Sequence, residues 1–397
     1  MSTRSAERPK RIAAVTSSRA DYGYLLPIIR ELSQAPEFDL QLIVSGSHLA
    51  PAHGSTVGSI EEDGFPIAER VDLLTDSDAA IAIARSIGVG VMGFAEAYAR
   101  LVPDLLLLLG DRYEMFAAAA AMLPFAKPIA HIAGGESSEG AIDEAIRHSL
   151  TKMSHLHFVQ TSQYRDRVVQ MGEEPWRVTI SGSPTLDNLR GFVPLPEREL
   201  SERVGLSLEC PPVLVTFHPV TLEYSAARHQ IGEVLAAVEA SGLPVVFTAP
   251  NADTNGQEIR GAIESFVTQH RGSASFVVNL GTRAYFSLMQ KALVMLGNSS
   301  SGIIEAASFS LPVVNVGDRQ RGRVHGDNVI DVPCTRDAIA PALRDAGESS
   351  FRDRIRGMKN PYGDGDAAKV IVDVLRRTPL DRSLLLKRFH QLSTHHD

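Results

Sequence analysis

Short apolar runs, each closed by Gly, Ser, Asp, Thr or Pro, alternate along nearly the whole chain with stretches whose apolar residues recur at helical spacing. The runs predict strands at "RIAAVTSS", "DLQLIVSG", "PDLLLLLGD", "PIAHIAGG", "LHFVQT" and "RVTISGSP". After an interruption they resume at "PVLVTFHP", "PVVFTAP", "FVVNLG", "LVMLGNSS" and "LPVVNVG". These runs are continuously apolar rather than alternating, the mark of strands covered on both faces. The fold class expected is therefore α/β, with two doubly wound, parallel-sheet, Rossmann-like domains. The interruption, "GFVPLPERELSERVGLSLECPP", is rich in Pro and charge and reads as a linker with a short helix. The organisation expected is a first domain at 1–190, a linker at 191–212, a second domain at 213–365, and a C-terminal helical stretch at 366–397 free to pack on either domain, back on the first included. Ligands bind such sheets beyond the carboxyl ends of the strands, so a cleft between the two sheets is the expected site.

The bulk properties narrow this reading. At 397 residues with 44% hydrophobic and 22% charged residues, the chain is long enough for two separate cores. A formal net charge of −8 argues against nucleic acid as a partner, because nonspecific binders carry a basic excess or patch. An anionic ligand needs a local, focused site instead. Cys210 and Cys334 lie far apart with no CxxC or zinc spacing, which fits a reducing cytoplasm and no disulfide framework. No run approaches the roughly eighteen apolar residues of a membrane span, the longest, "LVPDLLLLLG", being strand-sized. A cytoplasmic protein without a membrane partner is expected.

The stretch "VMLGNSSSGIIEAASF" puts three hydroxyls and two glycines where a strand hands over to a helix. One serine suffices as an N-cap. Three, flanked by glycines that permit close approach, predict an anion site on Ser299, Ser300 and Ser301, where unpaired N–H groups favour a phosphate. Glu305, taken to lie in the first helical turn, would repel a phosphate but suits a ribose diol. Other strand ends carry Arg19 and Asp21 ("TSSRADYG"), Asp111 and Arg112 ("LLGDRYE"), His218 ("TFHP"), Asn251 and Asp253 ("TAPNAD"), and Arg319, Arg321 and Arg323 ("GDRQRGR"). Each alone is an ordinary loop residue; their joint position is the signal. In "HIAGGESSEGAIDEAIRHSLTK", Asp143, Arg147 and Thr151 recur every four residues on one helical face, with Glu144 and His148 beside it. His131, Glu136, Asp143 and His148 match no zinc spacing, so no metal is expected.

Together, "RADYG", "GDRYE", "HIAGGE" with "GAIDEAIRHSLTKMSHLHF", "SGSPTLDNL", "TFHPVT", and "GNSSSGIIE" with "PVVNVGDRQRGR" resemble the hydrolysing UDP-N-acetylglucosamine 2-epimerase family over about residues 11 to 378. Non-hydrolysing epimerases carry "GTRPE" after the first strand, where this chain has "SSRADYG". The resemblance implies a GT-B-like pair of domains, a homodimer or homotetramer, and no cofactor. The substrate implied is UDP-N-acetylglucosamine or a 2,4-diacetamido-trideoxy analogue, converted through a glycal to UDP and a free N-acetylmannosamine-type sugar for sialic or legionaminic acid synthesis. It further implies Asp111 and Asp143 as acid/base carboxylates; Glu136, the carboxylate just past the Gly-Gly turn, Arg147 on the helical face of Asp143, and His218 complete the expected catalytic set. Arg19, Asp21, Arg112, His218, Asn251, Ser299, Ser300, Ser301, Glu305 and Arg321 form the implied binding set. Some members have a catalytic Glu before the Gly-Gly turn where this chain has Ala133, and Ser where it has Gly23. A GT-B glycosyltransferase, a non-hydrolysing epimerase and a noncatalytic nucleotide-sugar sensor are the alternative readings.

Overall fold

The computed structural model describes residues 8–50, 56–73, 79–137, 142–219, 226–249 and 256–391, and the chain divides into two compact units. The first is built on Met1–Glu136, Ile142–Asp187 and Gly365–Asp397, the second on Asn188–Asp364. The first sheet comprises β1 (Lys10–Thr16), β2 (Phe38–Ser45), β3 (Ile67–Val71), β4 (Leu105–Leu109), β5 (Ile129–Ile132), β6 (Leu156–Val159) and β7 (Val178–Ile180). Its spatial order is β3-β2-β1-β4-β5-β6-β7, every neighbouring pair parallel. The second sheet holds β8 (Val213–Thr216), β9 (Val245–Thr248), β10 (Ala274–Val277), β11 (Val294–Gly297), β12 (Val313–Val316) and β13 (Val329–Val332). It runs β10-β9-β8-β11-β12-β13, again all parallel. Strand order therefore reverses once in each sheet, between β1 and β4 and between β8 and β11. At such switch points the loops diverge to opposite faces and leave a crevice at the carboxyl ends.

The five leucines of β4 show why the runs read as continuously apolar. Leu105, Leu107 and Leu109 enter one core with Leu25, Ile28 and Ile371, while Leu106 and Leu108 enter another with Phe94, Tyr98 and Met115. A strand facing helices on both sides has no position left for a polar residue. The edge strands β3 and β13 lack this double cover. They carry Glu69, Arg70 and Asp331 and are largely half-exposed, so the apolar-run criterion passes over them.

Other expectations change. The strand read at "FVVNLG" lies two residues earlier, at β10, because Asn279 caps the next turn by accepting from the Gly281 N–H at 3.0 Å. The segment 191–212 is not a free tether: Leu195, Leu200, Val204, Leu206 and Leu208 are buried in the second unit's core. The chain instead crosses at Asp187/Asn188 and Asp364/Gly365. The returning helix Ala367–Arg377 lies against the helix Arg19–Gln34, with Ile371, Val372 and Leu375 in the first unit's core. The Asp187 carboxylate accepts from the N–H groups of Ala367 (2.9 Å) and Ala368 (2.7 Å), an N-cap supplied from 180 residues away. At the other end Lys10 Nζ donates to the carbonyls of Leu375, Arg376 and Thr378 at 2.9–3.0 Å. Gly365 sits at φ +84°, and a Cβ there would lie 2.6 Å from the Leu186 carbonyl, so glycine is required at the re-entry.

The search for apolar runs also passes over one helix. The helix Ala80–Leu101 is 22 residues long and, by length and composition alone, apolar enough to cross a bilayer. Its Ala and Gly residues, with Arg85 and Ser86 between them, hide it from a search for unbroken apolar runs. Its inner side belongs to a protein core: Phe94, Ala97 and Tyr98 are buried, and a Cβ on Gly93 would meet Val71 at 2.8 Å.

Candidate active site

In the first unit, the polar residues after β1 and β4 stand at the switch point. Ser18 caps the helix Arg19–Gln34, and Ser17 Oγ donates to Asp21 at 2.6 Å. Arg112 stands at the N-cap position of the helix Tyr113–Met122 and forks onto the fully buried Glu114, with Nε at 3.2 Å and Nη2 at 2.9 Å. The chain after β2 must pass close by: Gly46 has φ +56°, and a Cβ there would lie 2.7 Å from the Ser17 carbonyl and 3.0 Å from Glu114. The helix Ile142–Met153 brings the second group of charges. Its buried Arg147 donates to Asp111 and lies 3.8 Å from Glu144, rather than pairing with Asp143 one turn back as the i,i+4 spacing suggests. Burial, reinforced by the neighbouring Asp111, pushes the Asp143 carboxyl up to about 6. His148 takes Glu144 at 3.2 Å.

The turn after β5 is backbone-tight. Ala133 has φ +64°, a left-handed conformation that costs an alanine about 1 kcal/mol. A Cβ on Gly135 would come within 2.5 Å of the Tyr164 carbonyl, and Glu136 follows, buried. His131 beneath it bonds the Gly110 carbonyl at 2.7 Å, and burial drives its pKa down to about 3. It is a neutral structural residue. Among the described residues no group of His, Cys, Asp or Glu is arranged to hold a metal ion.

In the second unit, Asn298 organises the switch point between β8 and β11. Its Oδ1 accepts from the His218 N–H (2.7 Å), its Nδ2 donates to the His218 carbonyl (2.9 Å), and its own carbonyl accepts from Arg319 (3.0 Å) and Gln320 (2.9 Å). Gly297 before it has φ +136°, and a Cβ would sit 2.0 Å from the Thr216 carbonyl; no other residue fits. Ser299 is the N-cap, accepting from the Ser301 N–H, and Ser301 is tied to Ser299 (2.9 Å) and to the Tyr285 hydroxyl (2.8 Å). Ser300, the first helical residue, is half-buried and keeps its hydroxyl out of that network. The helix Ser300–Ile304 has only five residues, so Glu305 stands at its C-cap and not in the first turn of a long helix. Asn360 ends it by donating to the Ile304 carbonyl at 2.7 Å, and Ser310 turns the chain through a left-handed φ of +47°. An anion here therefore relies on individual N–H and hydroxyl donors, with little from a helix dipole. His218 is buried, and desolvation, then Arg319, pushes its pKa down to about 3; at neutral pH it is an uncharged imidazole. Arg321 is exposed and engaged with Asp318 at 3.0 Å, and Arg19 is exposed at the start of its helix; neither is tied into its cluster. Asn251 lies outside the described residues.

The UDP-N-acetylglucosamine 2-epimerase family profile matches residues 30–376. The chain belongs to that family. As a UDP-N-acetylglucosamine 2-epimerase family member it is 37% identical over 95% of its length to the UDP-N,N'-diacetylbacillosamine 2-epimerase (hydrolyzing) of Legionella pneumophila, covering 98% of that protein. It is 36% identical over 81% of its length to the GDP/UDP-N,N'-diacetylbacillosamine 2-epimerase (hydrolyzing) of Campylobacter jejuni, covering 84% of it. In fold it is similar to UDP-GlcNAc 2-epimerase from Neisseria meningitidis bound to UDP-GlcNAc (TM-score 0.81, 17% identity, 93% of this chain and 100% of that one). The two Rossmann-like units expected from the apolar runs, and the GT-B-like fold that the resemblance implied, are thus those of the epimerase family. Sequence reasoning missed three residues that shape these clusters: Glu114, Asn298 and Tyr285. The first two sit inside quoted motifs, and their charge or amide beside a strand end was the available signal. Tyr285 carries none, since it arrives from the separate helix Gly281–Lys291.

Proposed function

We propose that this enzyme is a hydrolysing 2-epimerase acting on a UDP-linked 2-acetamido sugar, with the 4-acetamido-6-deoxy variant favoured by the names of its relatives. Asp111 accepts the proton from C2; the electron pair of that C–H bond forms C1=C2 as the C1–O bond breaks and its pair leaves with UDP. Water then adds through its oxygen to C1 of the bound 2-acetamidoglycal and loses one proton to solvent, as Asp143 supplies a proton to the opposite face of C2; Asp111 afterwards gives up its proton to solvent and Asp143 regains one from it. Overall, one water is consumed. The observation that carries this reading is the pairing of unlike carboxyls at one switch point: Asp111 held by a buried Arg147, and Asp143 raised to about 6, where it exchanges protons near neutral pH. Glu136, buried just past the Gly-Gly turn, positions water in this reading, the role left open by Ala133. The Ser299–Ser301 donors, Arg319 and a neutral His218 take the diphosphate, and Glu305 the ribose. Action as a homo-oligomer in the cytoplasm belongs to the same proposal.

The test is incubation in D2O with UDP- and GDP-linked N-acetyl sugars, reading products by NMR. The expected result is a free manno-configured amino sugar carrying deuterium at C2, one nucleoside diphosphate per sugar. A gluco sugar without deuterium would mean a plain hydrolase, and sugar found on an added acceptor a transferase. A second expectation concerns the nucleotide: Ser300→Ala removes one hydrogen bond to a charged oxygen, worth roughly 1.5–3 kcal/mol, and should weaken UDP binding about tenfold or more by calorimetry. Unchanged affinity in Ser300→Ala and Glu305→Ala would move the nucleotide site elsewhere.

A further inference from the structure

Glu173 is fully buried in the first unit, where no proposed step uses it. Its carboxylate takes Lys152 Nζ at 2.6 Å, His157 Nε2 at 3.1 Å and Lys387 Nζ at 2.7 Å. The three partners come from the last turn of the helix Ile142–Met153, from β6 and from the C-terminal stretch. Lys387 uses all three of its N–H donors. The other two reach the carbonyls of Lys152 (2.9 Å) and Ser154 (2.6 Å), where a helix end leaves acceptors unpaired and favours a cation. The stretch that brings Lys387 has no regular structure over 386–390, yet it is fastened along its length. Buried Arg177 donates to the carbonyls of Leu384 (2.8 Å) and Leu386 (3.1 Å), the His390 N–H donates to the Gly172 carbonyl (2.8 Å), and the centre of the Phe389 ring lies 5.2 Å from Lys152 Nζ.

The same helix carries Asp143 and Arg147 towards its other end, where Arg147 donates to Asp111. Its inner face is apolar, with Ile146 and Leu150 packed in one core with Met115. Apolar packing is non-directional and sets no position along the axis; contacts at the helix ends do. We propose that Glu173 and Lys387 form a clamp that holds the helix Ile142–Met153 at the axial position its Asp143 needs for returning a proton to C2, so both are positioning residues. The inference rests on the roles proposed for Asp111 and Asp143. A displacement of about 1 Å at a reacting centre costs about a hundredfold in rate, so a small slip of the helix is enough. The clamp acts through position and not through charge. Lys387 meets the helix at Lys152, about 14 Å along the axis from Asp143, whereas salt screens charges over about 8 Å. The charges that bear on the Asp143 carboxyl directly are those of Asp111, Arg112, Arg147 and Glu114.

Lys387→Met in the full chain tests it. Glu173 keeps Lys152 and His157, and Arg177 keeps its hold on Leu384 and Leu386, so the fold should survive. The expected result is a kcat lowered about ten- to hundredfold, UDP affinity by calorimetry within about twofold of wild type, and an Asp143 carboxyl that titrates, by 13C NMR, about half a pH unit or more from its wild-type value. Lys387→Arg keeps the cation but replaces three separate donors by a planar fork; it should lose about threefold or more in kcat and move the same titration. That variant carries the test should Lys387→Met fail to fold by circular dichroism. Lys369→Met, which removes an exposed lysine paired with Asp373 in the same unit, should behave as wild type. An unchanged kcat would overturn the proposal. So would a lower melting temperature with an unmoved Asp143 titration, which would leave Lys387 a plain stabiliser. The titration needs no turnover, so it separates the clamp from the chemistry it serves: in a chain that consumes no UDP-sugar, a titration moved by Lys387→Met keeps the clamp, and an unmoved one removes it.

Discussion

Asp111→Asn is expected to stop release of UDP and labelling at C2 together, lowering kcat by a factor of about a thousand or more. Removing a positioned general base costs typically 10²–10⁴-fold. Here the loss is compounded because Asp111 is also the partner of buried Arg147. Asparagine keeps the size and an acceptor oxygen for the guanidinium, so the fold should survive. Affinity for UDP should stay within about threefold, since the groups assigned to the nucleotide belong to the second unit. Nucleotide release at near wild-type rate, measured in the same D2O reaction, would remove Asp111 from the chemistry.

Asp143→Asn should lose activity while gaining stability, and the gain should depend on pH. The folded-state value of about 6 lies above the ordinary value of 3.8, so the folded protein holds this proton more tightly than the unfolded chain. Such a group stabilises most below the unfolded value, and its contribution is lost as pH rises through about 6. A shift of about two units corresponds to about 3 kcal/mol at most. Asparagine removes the ionisation and with it the cost above pH 6. Calorimetry should show the variant melting several degrees above wild type at pH 8, with the gap closing below pH 4. The inflection near pH 6 expected in wild-type kcat/KM should vanish in the residual activity of the variant. A melting difference that is the same at pH 4 and pH 8 would mean that Asp143 is not the raised carboxyl.

What could be read from the chain, and what could not, follows from distance along it. The strands buried on both faces announce themselves as apolar runs, and the residues just past them, Asp111, Arg112, Ser299 and Ser300, are polar where a covered strand has no reason to end in polar groups. Edge strands such as Ile67–Val71 have one uncovered face and a mixed composition, so nothing marks them. The short helix at Ser300 could not be foreseen because its end is set by Asn360, 56 residues away from the carbonyl it caps. Arg147 was read as partner of the residue one turn before it. Burial gave it to Asp111, 36 residues back, because a guanidinium without water takes the acceptor its helix is pressed against.

The N-cap that Asp187 lends to Ala367 and Ala368 fixes an order of assembly. A ribosome delivers Leu25, Ile28 and Ile29 of the first core some 340 residues before Ile371, Val372 and Leu375, which cover the same face. Throughout that interval the whole of Asn188–Asp364 is made and can condense on its own sheet, while the earlier unit waits with an uncovered helix. The helix Ala367–Arg377 is therefore the last piece of the first core to arrive, and a chain truncated before it leaves the face of the helix Arg19–Gln34 that Ile371, Val372 and Leu375 cover open to water.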